Sequence, residues 1–133
     1  MSERISQILF VEEDPVLLEI TAFRLELLGY QVETQQSAER ALEWLHDKLP
    51  ALIIVDHMLP GMDGIEFINR LSNDTRTSEV PIMFLSTNGD LEDVRKAYNA
   101  GADDYLVIPY DPMVLESKVE RLANAVLQAG AAN

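Results

Sequence analysis

Five times along this chain a short apolar run gives way to a stretch of helical periodicity, and that alternation restricts the fold more than any other feature. The strand candidates are Gln7–Val11, Gln31–Gln35, Ala51–Val55, Pro81–Leu85 and Asp104–Ile108. Between them, Pro15–Leu28 carries Val16, Ile20, Phe23 and Leu27 at helical spacing, a stripe expected to face the core, and Gly29 stops it. Ser37 reads as the N-cap of a second helix that buries Ala38, Ala41, Leu42 and Leu45. Gly64–Ser72 offers Ile65, Ile68 and Leu71, and Asp90–Ala100 offers Leu91, Val94 and Tyr98 before Gly101. The last helix starts at Asp111 with Pro112 in its first turn, and its buried face is Leu115, Val119, Leu122 and Val126.

Strict alternation implies parallel strands joined by right-handed crossovers, with helices on both faces of the sheet. The second strand is the most polar, Val32 being followed by Glu33, Thr34, Gln35 and Gln36, so it belongs at an edge. A doubly wound α/β sheet of flavodoxin-like order, 2-1-3-4-5, satisfies that placement. With 133 residues, 47% of them hydrophobic, the chain fits one domain over positions 1–129 and a frayed tail over 130–133.

The absence of cysteine excludes disulfides, zinc–thiolate sites and thiol catalysis. A formal charge of −13 repels polyanions, so direct nucleic-acid binding is not expected. The apolar run Ile8–Val11 ends at Glu12, Glu13 and Asp14, too short for a signal peptide or membrane span. The expectation is a soluble cytoplasmic protein with no membrane partner.

The most telling segment runs from Leu52 to Gly64. Leu52-Ile-Ile-Val55 leads straight into Asp56, and Pro60, Gly61 and Gly64 then break the chain. Such a strand is buried on both faces and delivers the Asp56 carboxylate to the C-terminal sheet edge, where open α/β sheets bind ligands. There it serves as a metal ligand or nucleophile, or it merely opens a turn. The first and third strands are neighbours in this topology, which sets Glu12 and Glu13 beside Asp56. Three adjacent carboxylates raise one another's pKa unless a cation joins them, and a hard divalent ion such as Mg²⁺ suits the oxygens. The two glutamates serve equally well as acids at the first helix's positive end. Ser86 adds a hydroxyl on the far side of Asp56, where a phosphoryl group could be held.

In order, Val11-Glu-Glu-Asp-Pro15, Val55-Asp-His-Met-Leu-Pro-Gly-Met-Asp-Gly64, Leu85-Ser-Thr-Asn-Gly-Asp90 and Gly101-Ala-Asp-Asp-Tyr-Leu-Val-Ile-Pro109 resemble the receiver domain of two-component response regulators. The match covers nearly the whole chain. The resemblance implies that Asp56 accepts a phosphoryl group from a histidine kinase or phosphotransfer protein. It implies Mg²⁺ (or Mn²⁺) held by Glu12, Glu13, Asp56 and the Met58 backbone carbonyl. Ser86 takes the place of the switch hydroxyl, and Tyr105 that of the aromatic whose burial follows it. Pro60 and Gly64 shape the recognition loop, and Met58, Thr87 and Ile108 line the phosphoryl pocket. Ile108, Pro109 and Tyr110 fall on a dimer or output face, which implies a downstream effector and allows a homodimer through the last helices. A cis peptide is expected at Ile108–Pro109.

Several residues depart from the family pattern. Ile108 stands where the family keeps a lysine that pairs with the phosphoryl oxygens. Losing such a charge-assisted bond costs about 1.5–3 kcal/mol. Glu13 replaces the usual aspartate and reaches one methylene further, and Thr87 replaces a small residue. The expected function is therefore a phosphorelay receiver with weakened switching, a phospho-accepting domain rather than an enzyme. The alternative is a pseudo-receiver that works by protein contacts alone. A phosphohydrolase using Asp56 is disfavoured because Met58 occupies the position of its second aspartate. Nothing marks His46 or His57 as a relay histidine, and both read as structural or surface residues. No output domain follows the last helix, so the chain docks onto a partner or is part of a longer regulator.

Overall fold

The computed structural model describes residues 6–87 and 90–132, with side chains described as far as Asn124. Elements alternate as β1 (Gln7–Val11), α1 (Pro15–Leu27), β2 (Gln31–Gln35), α2 (Ala38–Leu45), β3 (Leu52–Asp56), α3 (Gly64–Ser72), β4 (Ile82–Thr87), α4 (Leu91–Ala100), β5 (Asp104–Ile108) and α5 (Pro112–Ala132). All strand pairs are parallel, in the order β2-β1-β3-β4-β5. The polar strand is therefore at an edge, as its composition required. β3 and β4 start and end one or two residues later than the apolar runs alone suggested, because each continues through the polar residue at its C-terminal end.

The pleat sends alternate residues of each central strand to opposite faces. Leu9, Val11, Ile53, Val55 and Phe84 meet the helices of one side. Ile8, Phe10, Ile54, Met83 and Leu85 meet Leu25 of α1 and Leu115 and Val119 of α5 on the other. Every residue of β3 is buried, which is why its sequence shows no alternation.

Ser37 caps its helix as expected, and Asp14 and Asp63 cap two others. Asp14 accepts from the Val16 N–H at 2.9 Å, Ser37 from Arg40 at 3.1 Å, and Asp63 from Glu66 at 2.9 Å. The face of α1 does not agree with the sequence. Val16, Ile20, Phe23 and Leu27 are 62%, 51%, 61% and 72% exposed, while Thr21, Ala22 and Leu25 are buried beside Leu18. This helix is apolar on both sides, so periodicity could not choose between them. The sheet accepts the slimmer face, where the Thr21 hydroxyl is satisfied by Tyr110 at 2.5 Å. A smaller correction applies to α4, where Val94 and Ala97 are buried but Leu91 and Tyr98 are exposed. On α5, Leu115, Val119 and Leu122 are core residues, as expected, and the Val126 side chain lies outside the described residues. That helix extends to Ala132 over the alanines read as a tail, since alanine is the strongest helix former; Asn133 is outside the described residues.

Candidate functional site

Asp56 ends β3 in the middle of the sheet and is 6% exposed. Its Oδ1 accepts the Met58 N–H at 3.0 Å, which fixes the carboxylate as the chain turns out of the strand. Gly64 makes that turn feasible. A Cβ there would lie 2.3 Å from the Asp56 carbonyl oxygen, and the Gly64 N–H donates to the His57 carbonyl at 3.0 Å. Gly61, at φ +72°, takes the left-handed conformation that the same loop needs. Pro60 is exposed at the loop's outer bend.

Glu12, one residue beyond β1, is 3% exposed, and its carboxyl group lies beside that of Asp56. Burial first, and that contact second, push the Glu12 carboxyl up to about 8. Its Oε2 accepts the Asp14 N–H at 3.0 Å, while Oε1 is buried with no partner. The Ser86 hydroxyl, 2% exposed at the end of β4, is likewise buried and unpartnered. Two polar atoms buried without partners at the same strand ends are expensive, and they mark a place for a polar ligand.

Glu13 does not join them. It is exposed on the wall of the cleft, and among the described residues no three acidic side chains close around a common point. Glu12 and Asp56 are the buried pair, and Glu13 faces the same cleft from its exposed side. The physical reason is local: the Glu13 carbonyl is held by Gln36 Nε2 at 2.9 Å, and its carboxylate keeps its hydration by avoiding an acidic pair. The donor set still suits a hard divalent ion. Carboxylate oxygens of Glu12 and Asp56 and the Met58 carbonyl are the atoms that would hold Mg²⁺, with Glu13 lining the same cleft.

The cleft above these residues has a volume of about 480 Å³ and includes Glu12, Glu13, Asp56, Met58, Thr87 and Ile108 in its lining. Thr87 is exposed, and Ile108 packs its inner side against the core around Leu115. Tyr105 is half-buried, 6.1 Å from the Tyr98 ring and 5.4 Å beneath the Lys118 ammonium. The Ile108–Pro109 peptide is cis, as expected. Tyr110 is less available for a dimer face than the sequence implied. The Tyr110 hydroxyl is bonded to Thr21, and Leu115 is fully buried, so Met113 and Val114 are the exposed apolar residues there.

Two features of the site were not foreseen. His57 Nε2 lies 3.1 Å from Asp93 Oδ2 and so joins the residue after Asp56 to α4. Glu39 of α2 accepts the Met62 N–H at 2.8 Å, while Gln36 holds Glu13, so the start of α2 ties down both acidic loops. His57 had one visible signal, its place beside Asp56. No spacing in the sequence pairs it with Asp93, or Glu39 with Met62.

Residues 8–120 match the family model of the response regulator receiver domain. The phosphate regulon transcriptional regulatory protein PhoB of Escherichia coli (strain K12) is 32% identical over 120 residues, which are 90% of this chain and 52% of that protein. This chain thus spans about half the length of the curated relatives it matches. A putative response regulator from Chloroflexus aurantiacus J-10-fl superimposes with a TM-score of 0.88 at 32% identity, covering 90% of this chain and 98% of that one. The receiver domain of sensor histidine kinase PA1611 from Pseudomonas aeruginosa PAO1, with a magnesium ion coordinated in its active site cleft, gives 0.83 at 26% identity. It covers 91% of this chain and 99% of its own.

Proposed function

This chain belongs to the response regulator receiver domain family of two-component signalling, and on that premise we propose that Asp56 is its phosphoacceptor. One observation carries the reading: a buried aspartate at the end of the central strand, oriented by the Met58 N–H, beside a Glu12 oxygen that has no partner. In the reaction an Asp56 oxygen attacks the phosphorus of a phosphohistidine on a histidine kinase or phosphotransfer protein. The O–P bond forms as the P–N bond breaks, and the imidazole leaves with the electron pair and is protonated by solvent. Water later hydrolyses the acyl phosphate, so the domain is reset as a signalling acceptor rather than turning over as an enzyme.

Each residue has a part in this. Met58 holds one Asp56 oxygen and leaves the other to attack. Glu12 and Asp56, with the Met58 carbonyl, would bind Mg²⁺, which neutralises charge on the transferring group. Ser86 donates its unpartnered hydroxyl to a phosphoryl oxygen, and Tyr105 reports that contact towards α4 and α5. Ile108 offers no charge to the phosphoryl group, so phosphorylation biases the switched conformation only weakly. No helix among the described residues is long and apolar enough to cross a membrane. A cytoplasmic site of action fits the reading, as does an effector as the downstream partner.

Acetyl phosphate with Mg²⁺, followed by intact-mass measurement, tests this. Gain of one phosphoryl group that is lost in Asp56→Asn is the expected result. No gain, with kinase and small-molecule donors alike, would leave only a docking scaffold.

A further inference from the structure

The cleft over Asp56 is lined by four acids, Glu12, Glu13, Asp14 and Asp56, and, among the described residues, by no basic one. Among the described residues, Arg40, Lys48, Arg95 and Lys96 lie outside its lining, and other basic side chains are engaged elsewhere. Arg24 pairs with Glu116, Arg70 with Glu66, and Lys118 and Arg121 with Asp104, while Arg76 is spent on the carbonyls of Leu45 and Lys48. Once phosphorylated, Asp56 carries about −2, and with an ion bound through Glu12 the carboxylates and the ion together still leave about −2 at the site. The remaining walls are Pro15, Leu17, Met58, Thr87 and Ile108. They form an apolar sleeve above an anionic floor, and the floor includes a 3%-exposed glutamate with an unpartnered oxygen.

From this geometry we infer that the cleft receives a lysine or arginine side chain from a partner protein, which completes the phosphorylated site in trans. The inference rests on Asp56 being the phosphoacceptor. A basic side chain fits both layers, its aliphatic stem against Ile108 and Met58 and its charged head against the phosphoryl oxygens. Met58 is 66% exposed and unbranched, so it can close over the stem. The occupant belongs to a protein rather than to free solution because the cleft continues into an exposed apolar face. Val16 follows Pro15 of the cleft wall, and Ile20 and Phe23 extend the same stripe along α1. A macromolecule covering that stripe arrives with its edge over the cleft.

The test is binding of Mg²⁺ with beryllofluoride, followed by the ¹⁹F signal of the bound adduct, with n-butylguanidinium as probe and tetramethylammonium at equal ionic strength as control. Butylguanidinium is expected to tighten beryllofluoride binding about tenfold or more, at a probe concentration on the order of millimolar. The control should do nothing. Ile108→Lys, or Thr87→Lys from the exposed wall should the first fail to fold, is expected to tighten binding similarly and to abolish the probe's effect. A bound signal in the wild type that responds to neither probe nor substitution overturns the inference and leaves the phosphoacceptor reading standing. Saturation by free butylguanidinium at micromolar levels also overturns it, in favour of a small-molecule ligand. No adduct in any of these proteins, with or without probe, removes the phosphoacceptor reading and this inference together.

Discussion

His57 Nε2 stands 3.1 Å from Asp93 Oδ2, both side chains about one-fifth exposed, and this contact joins the neighbour of Asp56 directly to the first turn of α4. His57 also leans on Phe84 of the adjacent strand, with ring centroids 5.7 Å apart. Its Nδ1 is buried without a partner, so Nε2 carries the contact. Asp93 in turn bonds through its N–H to the capping carboxylate of Asp90 at 3.2 Å. Replacing His57 by alanine should cost about 0.5–1.5 kcal/mol of stability. The more specific outcome is faster amide exchange across Leu91–Ala100 with β3 unaffected. Unchanged exchange in α4 would show that the contact couples nothing.

Gly64 should be intolerant of any side chain. Its missing Cβ faces Asp56 backbone, which cannot swing aside as a flexible side chain could. Gly64→Ala is expected to destabilise by about 1–3 kcal/mol and to lower phosphoryl uptake, because the displaced atom belongs to Asp56 itself. Urea unfolding and mass measurement after acetyl phosphate treatment check the two effects separately.

Glu12 gives the metal-free protein an unusual pH response. Its carboxyl is raised from 4.5 in the unfolded chain to about 8 in the fold. Between those values the folded state holds a proton that the unfolded state has released, so stability falls as pH rises through that window. Ions that bind through Glu12 must displace the same proton. Mg²⁺ affinity should therefore climb towards pH 8, by up to about tenfold per pH unit for one proton released. Thermal melts with EDTA and titrations with Mg²⁺ should show opposite slopes, and parallel slopes would contradict the assignment.

Asp104 responds in the other direction. Burial works against its charge, but hydrogen bonds from Lys118 and the Tyr105 N–H, with Arg121 nearby, outweigh it and hold the carboxyl below its usual value. Its contribution is present above the ordinary aspartate range and is lost as pH falls through the lowered folded value. Asp104→Asn should destabilise by about 1–3 kcal/mol at neutral pH, with a smaller deficit in acid. Denaturant midpoints at both pH values measure this.

On α1, the exposed and buried stripes should behave oppositely. Phe23→Ser is expected to change stability by no more than about 0.5 kcal/mol, whereas Leu25→Ala should cost about 2–5 kcal/mol. Equal costs would place the periodic stripe in the core after all.

Much of the site was legible in the chain because its parts are local. Asp56 follows an unbroken apolar run, Glu12 follows another, and Ser86 ends a third, so parallel strands had to bring them to one edge. The loop after Asp56 announced itself through Pro60, Gly61 and Gly64. Glu13 lines the same cleft as Glu12 and Asp56 but is exposed, a difference that spacing cannot express. Adjacent residues leave a strand towards different sides, and the Glu13 carbonyl is held by Gln36, 23 residues away.

The order of elements, the parallel sheet, the polar edge strand and the seat of the acidic pair were determined by the sequence alone, since each depends on patterns within a few residues. Tertiary structure decided which side of α1 meets the sheet, that Glu12 and not Glu13 is buried beside Asp56, and that His57 reaches α4. Those outcomes hinge on partners distant in the chain. A helix apolar on two sides, or a side chain with water as an alternative, takes its place only when packing makes one choice cheaper than the other.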